Sequence, residues 1–315
     1  LCMAVLLCQI TAQAAENGAV VRGSVKDVQG NPIAGVVVTD GKNMTATDNR
    51  GMYLLDTDPV RQPMVYISTP ADYVLPEKNG IADGFYRYQD AGKTENQCDF
   101  TLQKREKKTD EFVFIPISDP QVKNEKQLER FRSETIPDLV YTVDSLNVPE
   151  TIGMQLGDLV WDAMNLYTPY RTTISNLGLT MFQVMGNHDF NLQYADMERT
   201  AEPAKGYGEK NYYEMFGPTD YSFNVGKVHV IAMKDIDYEG GKKYTERFTE
   251  EQLEWLKKDL SYVPEGTTVF LNVHAPVANT TVEGGDNVRN ANALFRILRP
   301  YKAHIFSGHT HFYEN

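Results

Sequence analysis

The chain has 315 residues, which suits two domains, and its 41% hydrophobic residues are enough for a substantial core. With 43 acidic and 31 basic residues the net charge is −12, which argues against a general nucleic-acid or anionic-membrane surface, because both need clustered Lys and Arg. A phosphorylated substrate stays open, since bound metal ions can supply local positive charge.

The first fifteen residues predict an export signal. An uncharged apolar run ends in Ala12-Gln13-Ala14, a pattern typical of a signal-peptidase site, although the basic start of such a peptide is missing. We therefore expect residues 1–15 to be a partial signal peptide and the protein to be secreted or periplasmic. The alternatives are a buried first element or a lipid anchor at Cys8, which Leu7 disfavours because a small residue is expected there. No later stretch approaches the ~20 apolar residues of a membrane span.

Residues 16–104 are expected to form an all-β sandwich. Short β-branched runs alternate with turns rich in Gly, Pro, Asn and Asp every eight to twelve residues. Residues 78–97 are polar and contain glycine, so we expect a long surface loop there. The charged run at 105–111 is predicted to be a solvated linker between two domains.

A motif inside this segment carries a family resemblance. From Gly23 to Leu55 the chain reads G-x-V-x-D-x-x-G-x-P-I-x-G-V-x-V and then T-x-T-D-x-x-G-x-Y-x-L. This pattern resembles the carboxypeptidase-regulatory-like, transthyretin-like β-sandwich family. The resemblance implies a fold and says little about function.

From residue 112 onward, strands and helices alternate. Apolar strands are predicted at 112–117, 151–156, 180–185, 221–224, 227–233, 267–272 and 303–306, with helices at about 128–143, 164–177, 249–260 and 291–298. Thr249 opens the third helix with a capping-box pattern. This alternation predicts an α/β domain from 112 to 315 with largely buried strands. The last strand lies close to residue 315, so we expect the natural domain to continue beyond it.

Polar side chains follow five of these strands. They are Asp119 and Gln121, then Asp158 and Asp162, then Asn187, His188 and Asp189, then His274, and finally His309 and His311. Because the carboxyl ends of strands converge on the ligand crevice of an open α/β sheet, we expect these side chains to meet. Carboxylate, imidazole and amide oxygen without thiolate suit Mn or Fe, with Zn as the alternative. A bridging Asp would hold two ions ~3.5–4 Å apart, as in two-metal hydrolases.

In order, these motifs resemble the calcineurin-like metallophosphoesterase superfamily, whose pattern is D-x-H, G-D-x-x-D or N, G-N-H-D or E, a lone His and G-H-x-H. The resemblance implies an α/β/β/α sandwich. It also implies that Asp119, Gln121, Asp158 and His311 hold the first metal, and that Asp158 bridges to a second metal held by Asn187, His274 and His309. His188 would contact the phosphoryl group, and Asp162 would orient His188.

Two positions depart from the superfamily pattern. The spacing from Asp158 to Asp162 is one residue longer than in that pattern. Gln121 stands where most members have His, and its amide oxygen is a harder, weaker donor that favours Mn or Fe over Zn. Some branches that act on nucleoside-diphosphate compounds share this D-x-Q pattern.

The resulting prediction is a secreted hydrolase that cleaves a small phosphomonoester or phosphodiester. A hydroxide bridging the two metals would attack phosphorus in line, with no covalent phosphoenzyme. The alternatives are a phosphodiesterase or pyrophosphatase on nucleoside-diphosphate compounds, and an inactive binding or adhesion module. We expect His229 and His304 to be structural, and Asp235 and Asp237 to be structural or to lie at the rim of the site. Tyr207, Tyr212 and Tyr213 are expected to line the substrate cleft, with packing within their own loop as the alternative.

Overall fold

A computed structural model of the chain describes residues 18–109, 111–192, 208–240, 243–278 and 287–311. The predicted signal peptide, Cys8 and Tyr207 lie outside these residues. Within them, no helix combines the length and the apolar character needed to cross a membrane.

Ten short strands occupy the N-terminal part of the chain. They are β1 (Ala19–Asp27), β2 (Val37–Thr39), β3 (Met44–Ala46), β4 (Met52–Thr57), β5 (Met64–Ser68), β6 (Glu77–Lys78), β7 (Ile81–Ala82), β8 (Tyr86–Tyr88), β9 (Glu95–Gln97) and β10 (Phe100–Leu102). One sheet has the order β10-β1-β4 with β9 also paired to β1, and the other is an antiparallel sheet in the order β3-β2-β5-β8. On β4, exposed and buried residues alternate, as expected for a strand with one face on a core.

The C-terminal part contains two further sheets. Its strands are β11 (Val113–Ile117), β12 (Thr151–Leu156), β13 (Thr180–Val184), β14 (Tyr221–Val225), β15 (Val228–Ala232), β16 (Ile236–Gly240), β17 (Lys243–Glu246), β18 (Thr268–Asn272) and β19 (Lys302–Phe306). The first sheet has the order β11-β12-β13-β7-β6 and the second β14-β15-β18-β19, while β16 and β17 form a separate hairpin. The two sheets face each other through aromatic contacts of Phe114 with Phe270 and of Phe182 with Phe223.

Helices cover the outer faces of these two sheets. They are α1 (Glu125–Arg130), a π-helical turn (Phe131–Thr135), α2 (Ile136–Leu146), α3 (Tyr167–Thr173), α4 (Lys210–Phe216), α5 (Glu250–Leu260) and α6 (Ala291–Leu298). Leu128, Leu139 and Val143 bury the inner face of α1 and α2, and Thr249 caps α5 with the predicted capping box. The predicted α/β/β/α layering is confirmed.

The segment 78–97 differs from the predicted surface loop. Ile81 is fully buried and pairs with Met181, so β7 extends the first C-terminal sheet from a part of the chain assigned to the sandwich. Phe85, also buried, contacts Phe182 and Tyr221. The apolar pair Ile81–Ala82 is too short to show a strand period, and β13 supplies its hydrogen-bond partners.

The predicted solvated linker is also partly buried. The Arg105 side chain is only 8% exposed, and its guanidinium forms a two-pronged ion pair with the Glu150 carboxylate. Its Nε donates to the carbonyl of Ala71. This residue therefore fastens the end of the sandwich segment to the loop before β12.

A buried polar network joins the sandwich segment to the second C-terminal sheet. The Ser222 hydroxyl contacts that of Ser68 at 2.9 Å and donates to Asp259 at 2.8 Å. The Asp259 carboxylate lies 2.7 Å from Nε2 of His229, whose Nδ1 lies 2.9 Å from the side-chain oxygen of Asn224. His229 is therefore structural, as predicted.

Replacement of His229 by Ala is expected to destabilise the fold by about 3 kcal/mol, because it leaves Asp259 buried without its ring partner. Urea unfolding should show a lower midpoint with an unchanged slope. His304→Ala is the matched control, because His304, predicted to be structural, is exposed and only its ring edge contacts Phe270, so this variant should lower the midpoint much less. Equal midpoints for the two variants would contradict this account.

Candidate metal centre

The five predicted loops leave the carboxyl ends of five strands. β11, β12 and β13 end just before Asp119, Asp158 and Asn187, while β18 and β19 end just before His274 and His309. The first three strands are mutually parallel, and so are the last two. Side chains from both sheets therefore reach the same end of the sandwich, as the following contacts show.

Asp158 is at the centre of the cluster and only 1% exposed. Its Oδ2 accepts a hydrogen bond from Gln121 Nε2 at 2.8 Å, and its Oδ1 lies 3.3 Å from Nε2 of His274. The same His274 nitrogen lies 2.9 Å from Asn187 Oδ1. Four of the predicted ligand residues are thus in direct contact.

The other three predicted ligands adjoin this group. His309 Nδ1 lies 3.1 Å from His274 Nε2, and the His309 backbone N–H donates to the Asp119 carboxylate at 2.9 Å. His311 Nε2 lies 3.5 Å from Asp119 Oδ1, and its side chain is 53% exposed. The structure therefore brings all seven predicted ligand residues into one continuous cluster, which is open to solvent at His311.

The donor atoms of this cluster suit cations. His274 Nδ1 lies 2.8 Å from the carbonyl oxygen of Leu156, which accepts its proton and leaves the Nε2 lone pair directed into the cluster. That lone pair faces oxygens of Asn187 and Asp158, and ligand atoms of Asp158, His274 and His309 lie within 4.8 Å of one another. Converging lone pairs of this kind repel one another unless a proton or a metal ion lies between them.

The charges of the cluster also favour bound cations. Burial raises the pKa of Asp119, and the neighbouring Asp158 carboxylate adds to that rise, while His274 opposes it. Burial would lower the pKa of His274, but Asp158, Asp119 and Asp235 outweigh it and raise that pKa. Divalent cations would relieve the repulsion between these buried carboxylates.

Backbone conformation is unusual at the site. Nine non-glycine residues in the described ranges have positive φ, and six of them belong to the predicted site: Asp119, Gln121, Asp158, Asp162, His309 and His311. Left-handed backbone costs roughly 1–2 kcal/mol per residue. Residues in such conformations cluster at functional sites. Here they turn the side chains that follow the strand ends toward the cluster.

Three motif glycines make room for these side chains. A Cβ at Gly157 would lie 2.4 Å from His274 Nδ1, and one at Gly186 would lie 2.3 Å from Asp158 Oδ1. A Cβ at Gly308 would lie 2.4 Å from Asp119 Oδ2, so this position also has no room for a side chain.

Two buried carboxylates shape the loops around the cluster. Asp189, fully buried, accepts backbone N–H groups of Leu159, Val160 and Gly186, which opposes the rise in its pKa caused by burial. Asp235 accepts those of His274 and Ala275, and burial raises its pKa to about 7. Asp235 is structural, as predicted. No role was predicted for Asp189 from the sequence, although its place in the G-N-H-D motif was a usable signal.

His188 lies beside the cluster in a defined orientation. Its backbone N–H donates to Asp158 Oδ1 at 2.9 Å, and its Nδ1 lies 3.0 Å from Asp162 Oδ1. The Trp161 ring stacks on the imidazole with centroids 3.9 Å apart. The extra residue before Asp162 therefore does not prevent its contact with His188.

The tyrosines expected in the cleft pack elsewhere, so that prediction is wrong for Tyr212 and Tyr213. Tyr212 is fully buried and contacts Phe216, and the Tyr213 hydroxyl bonds to Glu209. The unpredicted β16–β17 hairpin instead borders the cluster. Its Glu246 Oε1 lies 4.0 Å from His309 Nε2.

Family models match both parts of this chain. Residues 112–313 match the family model described as Calcineurin-like phosphoesterase, and residues 19–105 match that described as N terminal of Calcineurin-like phosphoesterase. The first match agrees with the predicted fold class and supports the predicted class of enzyme. For residues 19–105, the carboxypeptidase-regulatory-like resemblance stays a prediction.

Individual relatives are more distant. Purple acid phosphatase 15 of Arabidopsis thaliana is 26% identical over 174 residues, which are 54% of this chain and 31% of that protein. The match thus spans about a third of the relative's length. A dimetal phosphatase from Danio rerio has a TM-score of 0.44 and 17% identity over 64% of this chain and 82% of that one. A protein of unknown function from Aquifex aeolicus has a TM-score of 0.31 and 16% identity over 62% and 90%.

Proposed function

Because the chain belongs to the calcineurin-like phosphoesterase family, we propose that it is a metal-dependent hydrolase of a small phosphomonoester or phosphodiester. The observation that carries this proposal is the convergence of seven carboxylate, imidazole and amide side chains from five strand ends. A cluster in contact from Gln121 to His311 supports a binding site for divalent cations, because carboxylate, imidazole and amide groups are the ligands that such cations take in proteins.

The proposed centre is dinuclear. Asp119, Gln121, Asp158 and His311 would hold one ion, and Asp158, Asn187, His274 and His309 the other. When bound, the two ions supply a nucleophilic water at neutral pH and offset charge on the phosphoryl oxygens. Mn or Fe is the proposed metal, with Zn as the alternative.

His188 is the residue of the chain proposed to act on the substrate directly. With Nδ1 of His188 held by Asp162, its Nε2 is the ring atom available to a phosphoryl or leaving oxygen. The Trp161 ring limits rotation of the imidazole. We assign His188 to transition-state stabilisation or leaving-group protonation, and Asp162 to its orientation.

Substrate class and location are finer proposals. The D-x-Q motif at Gln121 favours nucleoside-diphosphate compounds as the second candidate substrate. The apolar leader ending at Ala14 supports a secreted or periplasmic protein. The proposed domains are a sandwich at 16–104, a linker at 105–111 and the catalytic domain from 112. Strands β6 and β7 belong to the sandwich segment in sequence but extend a sheet of the catalytic domain.

Hydrolysis assays test the activity directly. We expect 4-nitrophenyl phosphate or bis(4-nitrophenyl) phosphate to be hydrolysed with Mn²⁺ present and to be left intact after chelation. ADP-ribose and UDP-glucose test the nucleoside-diphosphate alternative. No hydrolysis of any of the four, together with no metal by elemental analysis, would favour the alternative of a binding or adhesion module.

Gln121→His is expected to tighten the first metal, because imidazole is a stronger donor than an amide oxygen. The metal concentration for half-maximal activity should fall by roughly tenfold for Zn²⁺ and by less for Mn²⁺. The matched control is Gln127→His, on an exposed position of α1. If the Zn²⁺ concentration for half-maximal activity fell in both variants, or in neither, a ligand role for Gln121 would be contradicted.

A further inference from the structure

The two ring nitrogens of His309 face different surroundings. Its Nδ1 faces the cluster of predicted ligands, 3.1 Å from Nε2 of His274. Its Nε2 faces the β16–β17 hairpin, where Oε1 of Glu246 lies 4.0 Å away. Both side chains are largely buried, at 8% exposure for His309 and 14% for Glu246, so salt and water screen this contact little.

The backbone around Glu246 is fixed on both sides. Its carbonyl accepts a hydrogen bond from the Arg289 N–H at 2.8 Å, and the next residue, Arg247, donates its N–H to the carbonyl of Asp235 at 2.8 Å. The carboxylate of the same Asp235 accepts N–H groups from the loop that carries His274. Glu246 is therefore held in place by a chain segment that also holds a predicted ligand.

The charge of Glu246 is not neutralised by a neighbouring lysine or arginine. Within the described ranges its only ion-pair contact is with His309, and the adjacent Arg247 bonds to Asp237 instead. A largely buried carboxylate costs free energy unless a partner offsets its charge. The ring N–H of His309 is the partner that the structure offers.

Metal chemistry gives this contact a consequence. A neutral imidazole that binds a metal through one nitrogen keeps its proton on the other. Metal-binding histidines almost always direct this N–H to a carboxylate, a carbonyl or a water, which fixes the ring and makes the ligand nitrogen more basic. His274 has such a partner in the carbonyl of Leu156, 2.8 Å from its Nδ1. For His309, the negative charge of Glu246 favours the proton on Nε2 and leaves the Nδ1 lone pair for an ion.

We propose that Glu246 is a positioning residue for His309, whose carboxylate keeps the imidazole proton on Nε2 and so directs Nδ1 at the second metal ion. This inference rests on the proposed dinuclear centre and adds to it a residue outside the seven predicted ligands. It gives the β16–β17 hairpin a role in metal affinity, because Glu246 reaches the site from β17.

Calorimetric titration of the metal-free full chain with Mn²⁺ tests this role without any substrate. The parent chain should bind two ions. Glu246→Leu should raise one of the two dissociation constants by about tenfold and leave the other nearly unchanged, because His309 is assigned to only one ion. In a His309→Ala background, Glu246→Leu should weaken binding no further, because Glu246 acts through the ring.

Glu239→Leu is the matched control, because Glu239 is exposed on the same hairpin, and it should keep both constants at the parent values. Thermal melting of the metal-free variants shows whether a substitution disturbs the fold, and Glu246→Ala replaces Glu246→Leu if leucine does so. Two parent-like constants in the Glu246 variant would overturn the proposal and leave the dinuclear centre standing. An additional loss in the His309→Ala background would overturn it too, since a charge effect independent of the ring would then explain the result. A parent chain that binds no ion would overturn both proposals.

Discussion

Asp158→Asn is expected to lose bound metal and phosphoesterase activity together, with a fall in kcat/KM on the order of 10³-fold or more. Asp158 is the only predicted ligand assigned to both ions, and it is buried between Gln121 and His274. Asparagine removes a negative charge from the middle of the cluster. The amide nitrogen of this asparagine would face one of two groups. Beside the Nε2 donor of Gln121 it would be repelled, and beside the lone pair of His274 it would occupy that lone pair with a hydrogen bond.

Elemental analysis after gel filtration, paired with 4-nitrophenyl phosphate turnover, measures both quantities on one sample. Asp144→Asn is the matched control, since Asp144 is exposed on α2, and it should keep parent metal content and rate. Circular dichroism should show that the Asp158→Asn chain is folded. A fully metallated and active Asp158→Asn protein would show that the bridging carboxylate has been misplaced.

His188→Ala is expected to lower kcat by about 10²–10⁴-fold while the metal content stays at the parent value. The reason is geometric, because His188 is held at Asp162 and Trp161 beside the cluster. Asp162→Asn should have a smaller effect, about 10–100-fold, since it disturbs only the orientation of the ring. The double variant should be little worse than His188→Ala alone, because the two residues act as one unit.

The leaving group separates the two roles left open for His188. If it protonates the leaving oxygen, the loss should be much larger for an alkyl phosphate than for 4-nitrophenyl phosphate, whose leaving group needs no proton. If it stabilises charge on the phosphoryl group, the losses should be similar. Loss of metal in His188→Ala would contradict both roles and make His188 a ligand.

Much of the fold could be predicted from local sequence. Strands such as β12 and β13 are short, mostly apolar segments bounded by turn residues, and the Thr249 capping box marks the start of α5. The stretch Ile81–Ala82 could not be predicted, because two apolar residues show no period and the strand exists only by pairing with β13. The buried Arg105 was hidden for a related reason, since its partner Glu150 is distant in the chain.

The candidate site divides in the same way. The residue types after each strand end were visible in the chain, and so was their order, which is why seven residues could be named. Their roles as ligands stay predictions. The Trp161 stack on His188 and the place of Glu246 beside His309 depend on loops and a hairpin that fold over the strand ends.

By itself, the sequence determined the order of the donor residues along the chain, the motifs that carry the family resemblance and the charge balance, because these depend on residue identity. Only the tertiary structure decided how Asp158, His274 and His309 come within 4.8 Å of one another, and which nitrogen of His274 faces the cluster. It alone also revealed the open pocket beneath α2. Contacts between residues far apart in the chain arise when two sheets and their helices pack, and no local pattern encodes that packing.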